Sequence, residues 1–334
     1  MRIQLIVFLS VACLLSACAV SLQGRHAERS PAATASESPV TGPRVRVLGI
    51  AQDGGLPHAT CRCDRCEAAR HDPSRASGVA SLGIIDPTQG EGGVFLVDAT
   101  PDIISQLTLL ADVRDAPLGR VDRTPIDGVL LTHAHMGHYL GLAHLGFEAV
   151  SVKGLPVWAS QTMVAFLGDN APWEQLVTTG GIVPKAVAPG QPWPLTERIT
   201  VQALSVPHRA EYTDTLGYRI TGPNQTLLYI PDCSPWHAWE TPLEEALTGV
   251  DVALLDATFY SGDELPGRDL SKIGHPLVVD TMDRLQSRVD AGTLEVWFIH
   301  LNHSNPALDP QSAAHAEVTR RGFGVAHAGL ELLL

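Results

Sequence analysis

The chain has 334 residues, is 45% hydrophobic and carries a formal net charge of −13. That acidity, with no basic stripe along the chain, argues against a nucleic-acid partner, because phosphate binding needs clustered Lys and Arg. The length suits one large domain with a sizeable core, and no internal repeat is visible.

Arg2 followed by the apolar run 5–15 reads as a signal peptide, too short to span a bilayer as a mature helix. Its end, Leu15-Ser16-Ala17-Cys18, has the form of a bacterial lipobox, so cleavage after residue 17 and lipidation of Cys18 are expected. The alternative is an ordinary signal peptide that happens to contain Cys18. The lipobox reading places the mature protein in the periplasm, held to a membrane by its lipid. Ala19 gives no inner-membrane retention signal, which points to the outer membrane. Residues 18–42 are rich in Ser, Ala, Pro and Gly without apolar periodicity and are expected to form a disordered tether, leaving 43–334 as the folded domain.

Within that domain, 44–50 alternates apolar and polar residues before Gly54-Gly55, the pattern of a strand and a tight turn. Segments 81–86 and 94–98 form the next hairpin, 101–113 has helical spacing, and 128–132 is a short buried strand running into His133. A helix over 140–149, a strand over 155–159 and a helix over 162–167 follow. The second half offers strands at 199–206, 216–221, 226–231 and 252–256, a helix at 276–289 and a final strand at 294–300. Strand runs and helices in this order predict an α/β fold, a four-layer αββα sandwich of two sheets with outer helices.

The strongest chemical signal is Thr132-His133-Ala134-His135-Met136-Gly137-His138, three histidines directly after a buried strand. Imidazole suits zinc and iron, and this clustering lets one loop supply several bonds. A second signal is Cys61-Arg62-Cys63-Asp64-Arg65-Cys66. Neighbours this close could hardly close a disulfide without strain, so metal binding is the better reading, although an oxidising compartment keeps disulfides open. Three thiolates need a fourth donor, and His303, three residues after His300, is the candidate.

The histidine segment, with Gly141-Leu142 after it, resembles the HxHxDH signature of the metallo-β-lactamase superfamily. The resemblance implies that His208, Asp232 and His300 complete the metal site, covering almost all of the mature chain. His133, His135 and His208 would hold the first metal, and Asp232 would bridge to a second held by His138 and His300. Asp232 and His138 would act in catalysis, with a metal-activated water hydrolysing an ester, lactone or phosphodiester of a small-molecule substrate. Gly137 stands where the signature has an aspartate, so the second site is expected either to be weak or to be completed by another group or a water, and activity to be narrower or slower than in a full dinuclear enzyme.

The Cys61, Cys63, Cys66 and His303 set is similar to the structural zinc of the phosphoribosyl cyclic phosphodiesterase branch. A closer overall resemblance is to the pyrroloquinoline quinone biosynthesis protein B family. It is carried by Gly54-Gly55-Leu56-Pro57, Pro207-His208-Arg209-Ala210-Glu211-Tyr212, Ile230-Pro231-Asp232-Cys233, Asp256-Ala257-Thr258-Phe259, Ile273-Gly274-His275 and His300-Leu301-Asn302. That resemblance implies an alternative, iron-dependent oxidation at the same centre, and places Arg209, Glu211, Asp256 and His275 beside the pocket. Export and the pair His133 and His135, absent from typical members of that branch, favour hydrolysis. A third reading is a periplasmic binding protein with a decayed site, against which the retention of every other ligand argues. Cys233, directly after Asp232, reads as a small buried residue, the alternative being a thiol near the metal.

Overall fold

The computed structural model describes residues 42–88, 92–113, 126–267, 269 and 274–334. The signal, lipobox and tether expectations on residues 1–41 lie outside the described residues. From Gly42 onward the described residues form one compact unit.

Its elements in order are β1 (Arg44–Gly49), α1 (Asp64–His71), β2 (Ser81–Asp86), β3 (Gly93–Val97), α2 (Ile103–Thr108), β4 (Gly128–Leu130) and α3 (Met136–Tyr139). Then come β5 (Leu155–Ala159), α4 (Gln161–Asp169), α5 (Trp173–Thr178), β6 (Ile182–Ala186), β7 (Pro192–Pro194), β8 (Thr200–Val206), β9 (Thr215–Thr221) and β10 (Thr226–Ile230). The last are α6 (Leu243–Ala246), β11 (Val252–Asp256), α7 (Val278–Asp290), β12 (Glu295–Ile299), α8 (Ala313–Arg320), β13 (Gly324–Val325) and β14 (Glu331–Leu333). Among the described residues, no helix is long and apolar enough to cross a membrane.

Two seven-stranded sheets result, ordered β14-β1-β2-β3-β4-β5-β6 and β13-β12-β11-β10-β9-β8-β7. Each is antiparallel on one side and parallel on the other, from β3 to β6 in the first and from β10 to β13 in the second. Strand alternation sorts the apolar side chains into layers. Val45, Val47, Leu82, Ile84, Phe95 and Val97 face the second sheet, whereas Leu48, Ile85, Val94 and Leu96 face α2, α4 and α5. All six residues of β2 are buried, as expected for a strand covered on both faces. The αββα sandwich expected from the sequence is present.

Several boundaries differ from expectation. The helix expected over 101–113 is the shorter α2, and the one over 140–149 is a 3-10 turn, Leu140–Leu145, following α3. Tight apposition explains the second case: a Cβ on Gly141 would lie 2.1 Å from the Thr100 carbonyl oxygen, so the chain is pressed against the end of β3 there. The strand at 294–300 is not the last, since α8, β13 and β14 follow it. The elements α5, β6 and β7 have no counterpart in the sequence expectations. Pro184, Pro192 and Pro194 read as strand breakers, yet β6 and β7 are edge strands, where a missing N–H costs little.

A polar clamp joins the sheets on the side away from the histidines. Asp86, buried at the end of β2, accepts from Thr88 Oγ1 (2.7 Å), Thr196 Oγ1 (2.6 Å) and Arg198 Nε (3.1 Å). Burial alone would raise its pKa, but Arg198, Thr196 and Thr88 outweigh it and hold the carboxyl at about 2. Because this lies below the ordinary 3.8, the stabilisation is complete above pH 4 and is lost as pH falls through about 2. An Asp86→Asn protein is expected to be less stable by roughly 2 kcal/mol at pH 7, a difference that closes towards pH 2. Urea melts at pH 7 and pH 2.5 check this, and an unchanged gap would show that the charge contributes nothing.

Candidate metal centre

The histidines gather where the two sheets present the C-terminal ends of their parallel strands, the end at which open α/β sheets place ligands. β4 runs into His133 and His135, α3 carries His138, β10 ends before Asp232, β11 ends in Asp256 and β12 ends before His300. His208 follows β8, which is separated from β10 by β9 in the second sheet.

Around one point, Asp232 Oδ2 lies 3.4 Å from His133 Nε2, 3.2 Å from His208 Nε2 and 3.8 Å from His135 Nδ1, and the last two nitrogens are 3.1 Å apart. A tetrahedral zinc site with bonds of about 2.1 Å has ligand–ligand edges of about 3.4 Å. Asp232 Oδ2 is also 3.8 Å from both His138 Nε2 and His300 Nε2, which fits a carboxylate shared by two centres. His133 Nε2, His138 Nε2 and His300 Nε2 are buried without hydrogen-bond partners, so these donors fit a metal better than a hydrogen-bonded core.

Three of the rings are oriented from behind. The buried Asp98 carboxylate accepts from Thr132 N and holds His138 Nδ1 at 2.7 Å, which turns Nε2 into the centre. Thr258 Oγ1 sits 3.0 Å from His300 Nδ1, and Glu211 Oε2 holds His135 Nε2 at 3.0 Å, with Arg209 pairing to Glu211 at 3.1 Å. Asp98 (φ +65°) and His300 (φ +64°) both take left-handed backbone, strain of the kind that collects at functional sites.

Electrostatics follow from this packing. Burial first, and the positive charge of His138 second, push His133 down to about 3, leaving it neutral and able to ligate. Asp232 is desolvated, which would raise its pKa, but His300, His133, His135 and His208 hold it well below the carboxylate range. Burial opposes charge on His275, yet the Asp256 carboxylate 2.9 Å from its Nδ1 lifts it to about 9. His275 also reaches within 3.3 Å of Asp232 Oδ1 and lines a cavity of about 510 Å³ with Trp236, Leu277 and Arg284. Asp256 further accepts from Cys233 N at 3.0 Å, and Cys233 is buried among apolar neighbours as expected.

The cysteine cluster lies apart from these histidines in its own donor set. Cys61, Cys63, Cys66 and His303 converge, with His303 Nδ1 3.7 Å from Cys61 Sγ and 3.9 Å from Cys63 Sγ, and no disulfide joins the thiols. Zinc–sulfur bonds of about 2.3 Å give tetrahedral edges of about 3.8 Å, so the geometry fits a closed structural zinc. Burial first, then the charges of His58 and Arg65, lower His303 and keep it neutral.

Two residues of the centre carry no motif in the sequence. Asp98 reads there only as a strand end, although a carboxylate closing an otherwise apolar buried strand is itself a signal. Asp53 stands beside Gly137, with Oδ1 3.4 Å from His138 Nε2 and 3.8 Å from His300 Nε2. Of the alternatives left open at Gly137, the structure shows a second group in the space: a Cβ there would lie 2.1 Å from Asp53 Oδ1, a carboxylate from another loop.

Comparison with known proteins agrees with this architecture. The family described as Beta-lactamase superfamily domain matches residues 94–301. A Coenzyme PQQ synthesis protein B of Methylorubrum extorquens is 27% identical over 308 residues, covering 86% of this chain and 99% of the relative. The crystal structure of Zn(2+)-bound PqqB from Methylobacterium extorquens has 26% identity, covers 87% of this chain and 100% of its own, and aligns with a TM-score of 0.72. A diphosphatase from the PhnP family shares the fold at 21% identity and a TM-score of 0.60, covering 87% of this chain and 97% of its own.

Proposed function

Because the chain belongs to the beta-lactamase superfamily, we propose that it is a metal-dependent hydrolase acting on an ester, lactone or phosphodiester. The observation that carries this is the convergence of His133, His135 and His208 on Asp232 Oδ2 at tetrahedral spacing. Zinc bound there would supply Lewis acidity and bring the pKa of water towards neutrality. Zinc in the PqqB relative's structure and the neutral state of His133 support that metal.

The remaining steps belong to the chain's own residues. Asp232 accepts and orients the proton of the attacking water, and its burial keeps the carboxylate fixed between the histidine groups. His275, charged at neutral pH and held by Asp256, stands at the wall of the 510 Å³ cavity, where it delivers a proton to the leaving oxygen. A cavity of that volume suits a small molecule. Trp236 and Leu277 form its apolar side. If Cys18 is lipidated, this hydrolysis takes place in the periplasm at a membrane surface.

The similarity to PQQ synthesis protein B favours one second reading, iron-dependent oxidation at the same donors, because imidazole and carboxylate also suit iron. Elemental analysis of the purified full-length chain and of His135→Ala, with ester, lactone and phosphodiester screens and an oxygen electrode, separates the two. Zinc lost in His135→Ala together with hydrolysis is the expected result. Iron and oxygen uptake lost together would establish the oxidative reading, and metal content independent of His135 would sink both. Labelling with palmitate, abolished by Cys18→Ala, tests the anchor.

A further inference from the structure

The HxHxDH signature carries its second-metal carboxylate between the histidines, at the position Gly137 occupies here. We propose that Asp53, on the loop after β1, has taken over that role, so that the second metal is held by Asp53, His138, His300 and the shared Asp232. The inference rests on the metal-centre reading above and adds a ligand to it.

Space makes the two arrangements mutually exclusive. A Cβ on residue 137 would lie 2.1 Å from Asp53 Oδ1 and 2.8 Å from Asp53 Cα, so with this loop in place only glycine fits. The donors then have the spacing of a site. Asp53 Oδ1 is 3.4 Å from His138 Nε2 and 3.8 Å from His300 Nε2, and each of those nitrogens is 3.8 Å from Asp232 Oδ2. Asp53 Oδ1, His138 Nε2 and His300 Nε2 are all buried and without hydrogen-bond partners, whereas Asp53 Oδ2 accepts from Gln52 Nε2 at 3.2 Å. One oxygen is therefore anchored and the other aimed inward.

The backbone holds Asp53 in this place from two sides. Leu301 N donates to the Ile50 carbonyl at 2.8 Å and Gln52 N donates to the Leu301 carbonyl at 2.9 Å, so the loop is stitched to the residue following His300. The cysteine cluster fastens the same loop again farther along, through His303. A simple counter-ion to His138 would not need this second attachment, because Asp98 already serves His138 from behind.

The test is a cobalt(II) and zinc titration of metal-stripped full-length protein, wild type against Asp53→Asn, Gly137→Asp and the double variant Asp53→Gly/Gly137→Asp. Cobalt at the thiolates is recognised by its sulfur charge-transfer band, and the first histidine site by its loss in His135→Ala. Wild type is expected to bind two metals at the histidines. In Asp53→Asn one of them is expected to weaken on the order of 100-fold, while the thiolate metal stays unchanged. Gly137→Asp alone should lose the same metal through collision with Asp53, and the double variant should regain it. Wild-type affinity in Asp53→Asn, a folded double variant that fails to recover, or a single histidine-site metal in wild type would each overturn the proposal. Asp53-dependent metal binding in a protein that hydrolyses nothing would leave it standing and remove the hydrolase reading instead.

Discussion

An Asp232→Ala protein is expected to lose hydrolysis by about three orders of magnitude or more, the scale on which removing one preorganised electrostatic group from an active site acts. Asp232 Oδ2 stands within 3.2 to 3.8 Å of five histidine nitrogens and so touches both halves of the centre. Its loss removes a shared ligand and the acceptor for the water proton together. Rates on the substrate found by screening, with zinc content measured alongside, check the expectation. Activity within tenfold of wild type would remove Asp232 from the mechanism.

Cys63→Ser is expected to have the largest effect on stability. Cys63 is exposed, so exchanging sulfur for oxygen there removes almost no packing, and any cost reports the loss of a metal ligand. Structural zinc contributes about 10 kcal/mol or more in small fingers. A domain with its own large core depends on it less, and a loss of about 4 kcal/mol, roughly a 10 °C fall in Tm, is expected. A chelator should lower wild type by more than it lowers the variant, which has only the histidine-site metals left to lose. Equal melting temperatures without chelator would mean that the thiols hold no metal.

Much of this is legible in the sequence, for a physical reason that also marks where legibility stops. Strands β2, β5 and β11 have the bounds expected of them because each is a short apolar run between turn residues, and local pattern suffices for such runs. The histidines are visible because spacing along one loop betrays a shared ligand. Asp53 has no such spacing: it sits in Gln52-Asp53-Gly54-Gly55, far along the chain from His138, and the turn chemistry of that stretch explains it without any function. The glycine at 137 is the available clue, since a missing carboxylate in an otherwise complete set asks where the charge has gone. The edge strands fail for the opposite reason: β6 and β7 are defined by their position at a sheet margin, which no local pattern encodes.

The pairing of β1 with β14 bears on how the molecule is made. Arg44 and Glu331, joined by a 3.0 Å ion pair, are 287 residues apart, and Arg46 grips the same carboxylate. Closing a loop of that length costs about 5 kcal/mol in chain entropy before any contact is returned, so this seam is a late event, formed after most of the intervening sandwich has ordered. Until then β1 stands as an unpaired margin whose residues Arg44–Gly49 are almost wholly apolar on the inner side. A nascent chain, or one cut short of residue 331, carries that margin bare, and edge-to-edge association between such chains is the failure to which this topology is most exposed.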